Sequence, residues 1–80
     1  MPSAQAPEPA PDTLCVLKAE AYGADTRYWT GRMLERWPES LRDREKAAET
    51  PYRTARRLAM EFNAVTARVR WAAEPVDSAG

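Results

Sequence analysis

The chain holds no histidine and one cysteine, Cys15, among its 80 residues. The His/Cys sets that hold zinc, the Ser/His/Asp triad and an intrachain disulfide are therefore all excluded. Cys15 lies in the apolar run Leu14-Cys15-Val16-Leu17. That setting suits a buried small hydrophobe better than a reactive thiol, because no imidazole is there to take its proton. Asp43 and Glu45 lie between Arg42, Arg44 and Lys46. Such alternating charge reads as a solvated segment, and nothing beside it predicts the pocket that acid–base carboxylates require. No Asp-rich loop with calcium spacing occurs. The expectation is a non-enzymatic protein with no cofactor and no metal.

The residues that remain bind rather than react. Charge balances overall, 12 Lys+Arg against 12 Asp+Glu, but it is unevenly spread. The two ends carry Glu8, Asp12, Glu74 and Asp77 and no cation, so residues 13–72 hold all 12 cations against 8 acids, a net of +4. Within residues 50–72, Arg53, Arg56, Arg57, Arg68 and Arg70 face Glu61 alone. A positive half of this kind matters for partner choice. Ten of the cations are Arg, which together with fifteen Ala also fits the coding bias of a high-GC genome.

Positioning these residues falls to a few short elements. Residues 1–12 hold four of the seven prolines and no large apolar side chain after Met1, and they read as a disordered acidic arm with polyproline II character. Residues 13–22 form a first strand, with Lys18 and Glu20 alternating against Leu17, Ala19 and Ala21. Gly23-Ala24-Asp25 marks a turn and residues 26–34 a second strand, in which Gly31 signals a bulge or a close backbone approach. Pro38 breaks the stretch 35–49. It reads as a loop ending in a short edge strand near Lys46-Ala47-Ala48, with a charged helical turn over residues 40–49 as the alternative. Thr50-Pro51 is a helix start, the Thr hydroxyl capping and Pro taking the first helical position. Ala55, Leu58, Ala59 and Phe62 then make one apolar stripe, and Asn63 is a left-handed stop. Residues 65–71 form the clearest strand, Val65, Ala67, Val69 and Trp71 opposite Thr66, Arg68 and Arg70. Residues 73–80 read as a flexible tail. The fold expected over residues 13–72 is α+β, a small antiparallel sheet in β-β-α-β order covered on one face by a single helix.

Two surfaces follow. With Leu17, Ala19, Trp29, Val69 and Trp71 toward the helix, the opposite face shows Lys18, Glu20, Tyr28, Thr30, Arg32, Arg68 and Arg70, beside Leu14 and Val16. Cations interleaved with an aromatic side chain can follow a phosphate backbone and stack on bases, or pair with an acidic protein surface. The plain alternative is a solvated face crossed by ion pairs, such as Glu20 with an arginine. On the helix, Arg53, Arg56, Arg57 and Met60 share a stripe, as a second binding surface or as a solvated helix face. Arg53 lies near the positive helix N-terminus and favours an anion there, Glu49 or a partner's. Trp37 either anchors its loop to the core or stands out as a binding anchor. The candidate partner-binding residues are Lys18, Tyr28, Arg32, Arg68, Arg70, Arg53, Arg56 and Arg57.

In size, element order and the run Thr50-Pro51-Tyr52-Arg53-Thr54-Ala55-Arg56-Arg57-Leu58-Ala59, the body resembles the short anti-CRISPR proteins that block type I systems. It is most similar to the type I-C inhibitors of high-GC proteobacteria. The resemblance covers residues 13–72. It implies a non-catalytic inhibitor that binds the RNA-guided Cascade complex and prevents capture of target DNA, in the cytoplasm of a bacterial host. These proteins share no common signature, so no functional residue is carried over. The net-positive body departs from the strongly acidic DNA mimics of the group. That favours occlusion of a protein surface or contact with nucleic acid over imitation of DNA charge. Two other readings stand beside it: a small nucleic-acid-binding regulator using the same arginines on phosphates, and a phage accessory or assembly protein acting as a dimer. No apolar run is long enough to span a bilayer. The chain is expected as a monomer or as a homodimer that covers a marginal core.

Overall fold

The computed structural model describes residues 8–21, 25–66 and 68–77. Alternation along the first strand organises it. β1 (Leu14–Ala21) sends Cys15, Leu17 and Ala19 to one side, where all three are buried. One edge of β1 is taken by β5 (Val69–Pro75), antiparallel from Cys15 opposite Pro75 to Ala21 opposite Val69. The other edge is shared. β2 (Arg27–Leu34) pairs at Lys18–Tyr28 and Ala19–Arg27, while the two-residue β4 (Thr50–Pro51) pairs at Leu14–Pro51 and Cys15–Thr50. β3 (Trp37–Leu41) pairs only with β2 and forms the far edge.

α1 (Tyr52–Val65) lies on the face that β1 fills with apolar side chains. Its stripe works as the spacing predicts: Ala55, Ala59 and Phe62 are buried and Leu58 packs against them. Alanine at the first two positions lets the helix sit close to the sheet. Phe62 then inserts between two tryptophans, edge-on to Trp29 at 5.4 Å and to Trp71 at 5.1 Å between ring centroids. Each such pair adds about 0.5–1.5 kcal/mol beyond simple burial. The result is the expected α+β domain, a five-stranded antiparallel sheet against one helix.

Several local expectations need correction. The edge strand is β3, which contains Pro38, and not Lys46-Ala47-Ala48; proline is tolerated on an edge because its missing N–H needs no partner there. Arg44–Lys46 is instead a 3₁₀ turn, whose Asp43 carboxylate accepts from the Glu45 N–H at 2.9 Å. Thr50 does not cap the helix. It belongs to β4, Pro51 holds the cap position, and no side chain caps α1. The orphan amides use backbone acceptors: Tyr52 N–H donates to Thr13 O at 2.8 Å and Arg53 N–H to Pro11 O at 3.1 Å. The segment read as a disordered arm therefore contributes at its end; residues 1–7 lie outside the described residues.

Asn63 does not stop the helix, which runs on to Val65, so the last strand starts at Val69 and not at residue 65. Nor is 73–80 a tail throughout: Ala73, Glu74 and Pro75 complete β5, and Val76 N–H donates to Leu14 O at 2.9 Å. Pairing with β1 overrides the weak strand propensity of Ala, Glu and Pro. Tyr22, Gly23, Ala24, Ala67 and residues 78–80 lie outside the described residues.

Candidate interaction surfaces

The sheet face away from the helix collects Lys18, Tyr28 and Arg70, as alternation requires, because Lys18 lies opposite Tyr28 and Glu20 opposite Arg70. Much of its charge is spent internally. Lys18 Nζ lies 3.1 Å from Glu20 and 3.4 Å from Glu74, and Arg44 donates to Glu74 at 3.1 Å. The hydrogen bond to Glu20, then that to Glu74, raises the Lys18 pKa. Glu20 thus pairs with a lysine on its own strand and not with an arginine across the ladder. Arg44 also donates to Pro75 O and Val76 O, both at 3.2 Å, which carries the 3₁₀ segment across this face. Val16, the cross-strand neighbour of Glu74, is 3% exposed there. The expected exposed pair of Leu14 and Val16 is therefore Leu14 alone.

Arg32 leaves the ladder. Between Trp29 and Met33 the β2–β3 register slips at Gly31, whose φ is +94°, and the Trp29 indole donates to Arg32 O at 2.9 Å. Both readings of Gly31 hold, since a Cβ there would also lie 3.2 Å from Ala48 Cβ. Arg68 precedes β5, in the connection from the helix, so alternation does not fix its side. It borders a depression shared with Arg70 and also a cleft on the helix side.

The helix arginines lie on the opposite side of the molecule from Lys18 and Tyr28, because α1 covers the other face of the sheet. All three are exposed. Arg56 lies 3.6 Å from Glu8 and Arg57 3.9 Å from Glu61. Arg53 makes no ion pair among the described residues, with Glu49 or any other acid. Of the eight candidate residues, Lys18, Tyr28 and Arg70 share the face away from the helix, Arg53, Arg56 and Arg57 lie on the helix, and Arg32 and Arg68 join neither set, so they form no single site. Cys15 is fully buried and unpaired, and burial raises its thiol pKa.

The most apolar exposed surface is one that the spacing analysis did not assemble. Leu34, Trp37 and Leu41 are 55%, 54% and 40% exposed on the β2–β3 hairpin. Register puts Leu34 opposite Trp37 and Leu41 opposite Tyr28, so all four belong to the face away from the helix. Of the two roles considered for Trp37, its exposure matches the outward anchor. The signal was present as apolar residues on both sides of Glu35-Arg36, but Pro38 obscured the second strand. Among the described residues, no three His, Cys, Asp or Glu side chains gather as a metal site, and no helix is long and apolar enough to cross a membrane. No family model, curated protein or solved structure matches this chain.

Proposed function

We propose that this chain is a non-catalytic binding protein, a stoichiometric inhibitor that attaches to a type I CRISPR-Cas Cascade complex and keeps it from capturing target DNA. The observation that carries the binding part is the exposed hairpin, with Leu34, Trp37 and Leu41 in solvent. Fully burying one such side chain against a partner is worth about 1.5–3 kcal/mol. Arg36 and Arg42, both exposed, flank the patch. An aromatic and aliphatic centre with arginine at its rim is the anatomy of a protein interface. The Cascade part rests on the resemblance carried by residues 13–72, and the net-positive body suits an acidic protein surface.

The test uses purified, guide-loaded Cascade and a target duplex in a gel-shift assay. Added protein should abolish DNA capture at about one equivalent, with an apolar interface that resists moderate salt. Trp37→Glu with Leu41→Glu should restore capture while leaving circular dichroism native. Failure of the wild-type chain to associate with Cascade or to stop DNA capture refutes the reading.

One observation favours a nucleic-acid reading as well: Arg53, Arg68 and Arg70 are exposed and make no ion pair among the described residues. In that case the protein alone should shift random duplex DNA. Affinity should fall with salt at a log–log slope of about −0.9 per phosphate contacted, and Arg68→Glu with Arg70→Glu should reduce that slope.

A further inference from the structure

We propose that the cleft on the helix side of the sheet, between the β2–β3 hairpin and the start of β5, is an anchor pocket. It takes one bulky apolar side chain, flanked by carboxylates, from an acidic segment of the partner protein. This rests on reading the chain as a protein-binding module, and it adds a second contact of defined chemistry to the exposed hairpin.

The cleft exists because of what the sequence leaves small and what the helix leaves uncovered. After Leu17, the core-facing positions of β1 are Ala19 and Ala21, which form a floor with no bulk. α1 ends at Val65, so among the described residues no element covers the corner of the sheet beyond its C-terminus. Pro38 and Ser40 stand on one side, Val69 and Trp71 on the other, around a volume of about 520 Å³. That falls within the range of small-ligand pockets, about 300–1,000 Å³.

The lining chooses between occupants. Its exposed surface is mostly apolar, and its buried Thr66 hydroxyl is committed to Phe62 O at 2.7 Å, which leaves the Ser40 hydroxyl and the Trp71 indole N–H, which has no partner among the described residues, as its polar groups between the charged residues of the rim. A nucleobase would bring several donors and acceptors to walls that answer only a few of them, which is costly. An aromatic or branched aliphatic side chain meets no such penalty. Charge at the mouth sets what surrounds that side chain. Arg27 and Arg68 border the cleft, are exposed, and make no ion pair among the described residues. Asp25, the acid among the described rim residues, is held by Arg42 at 2.6 Å. A mostly apolar hollow between two solvent-facing guanidinium groups without ion pairs is complementary to an apolar side chain with acidic neighbours. Trp37 borders the cleft from the edge of the sheet, while its register places its side chain with Leu34 and Leu41 on the other face.

The experiment titrates ¹⁵N-labelled protein with three N-acetyl tripeptide amides: tryptophan between two aspartates, tryptophan between two lysines, and alanine between two aspartates. The first should give saturable shifts at Ala19, Val69 and the Trp71 indole, binding at least about tenfold more tightly than either of the others. Ala21→Trp fills the floor and should abolish those shifts. Ala21→Leu should weaken binding and serves as the second filled variant should the first not fold. Arg27→Glu with Arg68→Glu should reverse the preference between acidic and basic peptides. Equal binding by the filled variants, no charge preference, or no saturable shift at millimolar peptide overturns the proposal. The Cascade assay separates the two levels. Inhibition that survives Ala21→Leu and Ala21→Trp sinks the pocket and keeps the reading of the chain; peptide binding without Cascade association does the reverse.

Discussion

Asn63 offers the sharpest test of how this domain is held together. Its side-chain amide donates to Trp71 O at 3.0 Å, and its Oδ1 accepts from Trp71 N–H at 2.7 Å. Both Trp71 backbone groups therefore point away from β1, and the helix side chain stands where a neighbouring strand would. Other parts of the same edge are also occupied or lack a donor: Thr66 Oγ1 lies 3.4 Å from Val69 O, Pro75 has no N–H, and Pro75 O accepts from Arg44. In Asn63→Ala both bonds go, at about 1 kcal/mol each, while the better helix propensity of alanine returns up to about 0.7 kcal/mol. The net loss should be about 1–1.5 kcal/mol.

Asn63→Asp isolates the donor. An ionised carboxylate keeps the bond from Trp71 N–H but turns an oxygen toward Trp71 O, so the deficit at neutral pH should exceed that of alanine, at about 2 kcal/mol. When protonated, the carboxyl can donate again. The folded state thus raises the pKa of the introduced group above the ordinary value of about 3.9. Stability from the donor is fully present below the unfolded pKa and is lost as pH rises through the folded one. Urea midpoints of both variants, each relative to wild type at about pH 3 and pH 7, are the assay. The aspartate deficit should be small in acid and full at neutrality, and the alanine deficit constant. Wild-type stability for Asn63→Ala, or an aspartate deficit equal at both pH values, refutes the account. Freed edge groups should also make Asn63→Ala associate at high concentration, visible by light scattering.

Other expectations follow from the core, the bulge and the charged face. Phe62→Ala removes the ring between Trp29 and Trp71 and should cost about 3–5 kcal/mol. Small domains hold only about 0.05–0.15 kcal/mol per residue, so the near-ultraviolet dichroism of the tryptophans should largely vanish. Gly31→Ala places a Cβ 3.2 Å from Ala48 Cβ at φ +94° and should lower stability by about 1–2 kcal/mol in urea melts. Lys18 has its pKa raised by Glu20 first and Glu74 next. The stability this gives is present below the unfolded value of about 10.4 and is lost as pH climbs through the folded one. Lys18→Met should flatten the alkaline side of a stability–pH profile and leave the acid side in place.

How far the residues alone disclosed this arrangement depends on how local each signal is. Alternation from Cys15 to Ala19 and the stripe Ala55, Leu58, Ala59 and Phe62 each describe one element seen from its own axis, and both were readable without a partner. So was the bulge at Gly31, because only a glycine relieves that backbone. β3 was missed since Pro38 argues against a strand unless the strand is known to be an edge. The outward faces of Lys18, Tyr28 and Arg70 were legible, but not the capture of Lys18 by Glu74, which arrives on β5 from the far end of the chain. Val16 was misjudged for the same reason: the 3₁₀ segment that crosses its face reaches it through Arg44, thirty residues from Glu74.

The linear pattern by itself determined the first two strands, the helix with its stripe, the core of the last strand and the absence of histidine and paired-cysteine chemistry, because periodicity and composition are properties of the chain before it folds. Tertiary structure alone decided that Pro11 and Thr13 cap the helix in place of Thr50, and that Asn63 guards an edge where a helix stop was expected. It also decided that Leu34, Trp37 and Leu41 gather into one patch on the face away from the helix, and that Ala19 and Ala21 floor a cleft on the other face. These are relations between groups distant in sequence. Their hydrogen bonds and shared surfaces form only when strand pairing brings distant segments side by side, and the pairing energy outweighs the weak local preferences of the residues concerned.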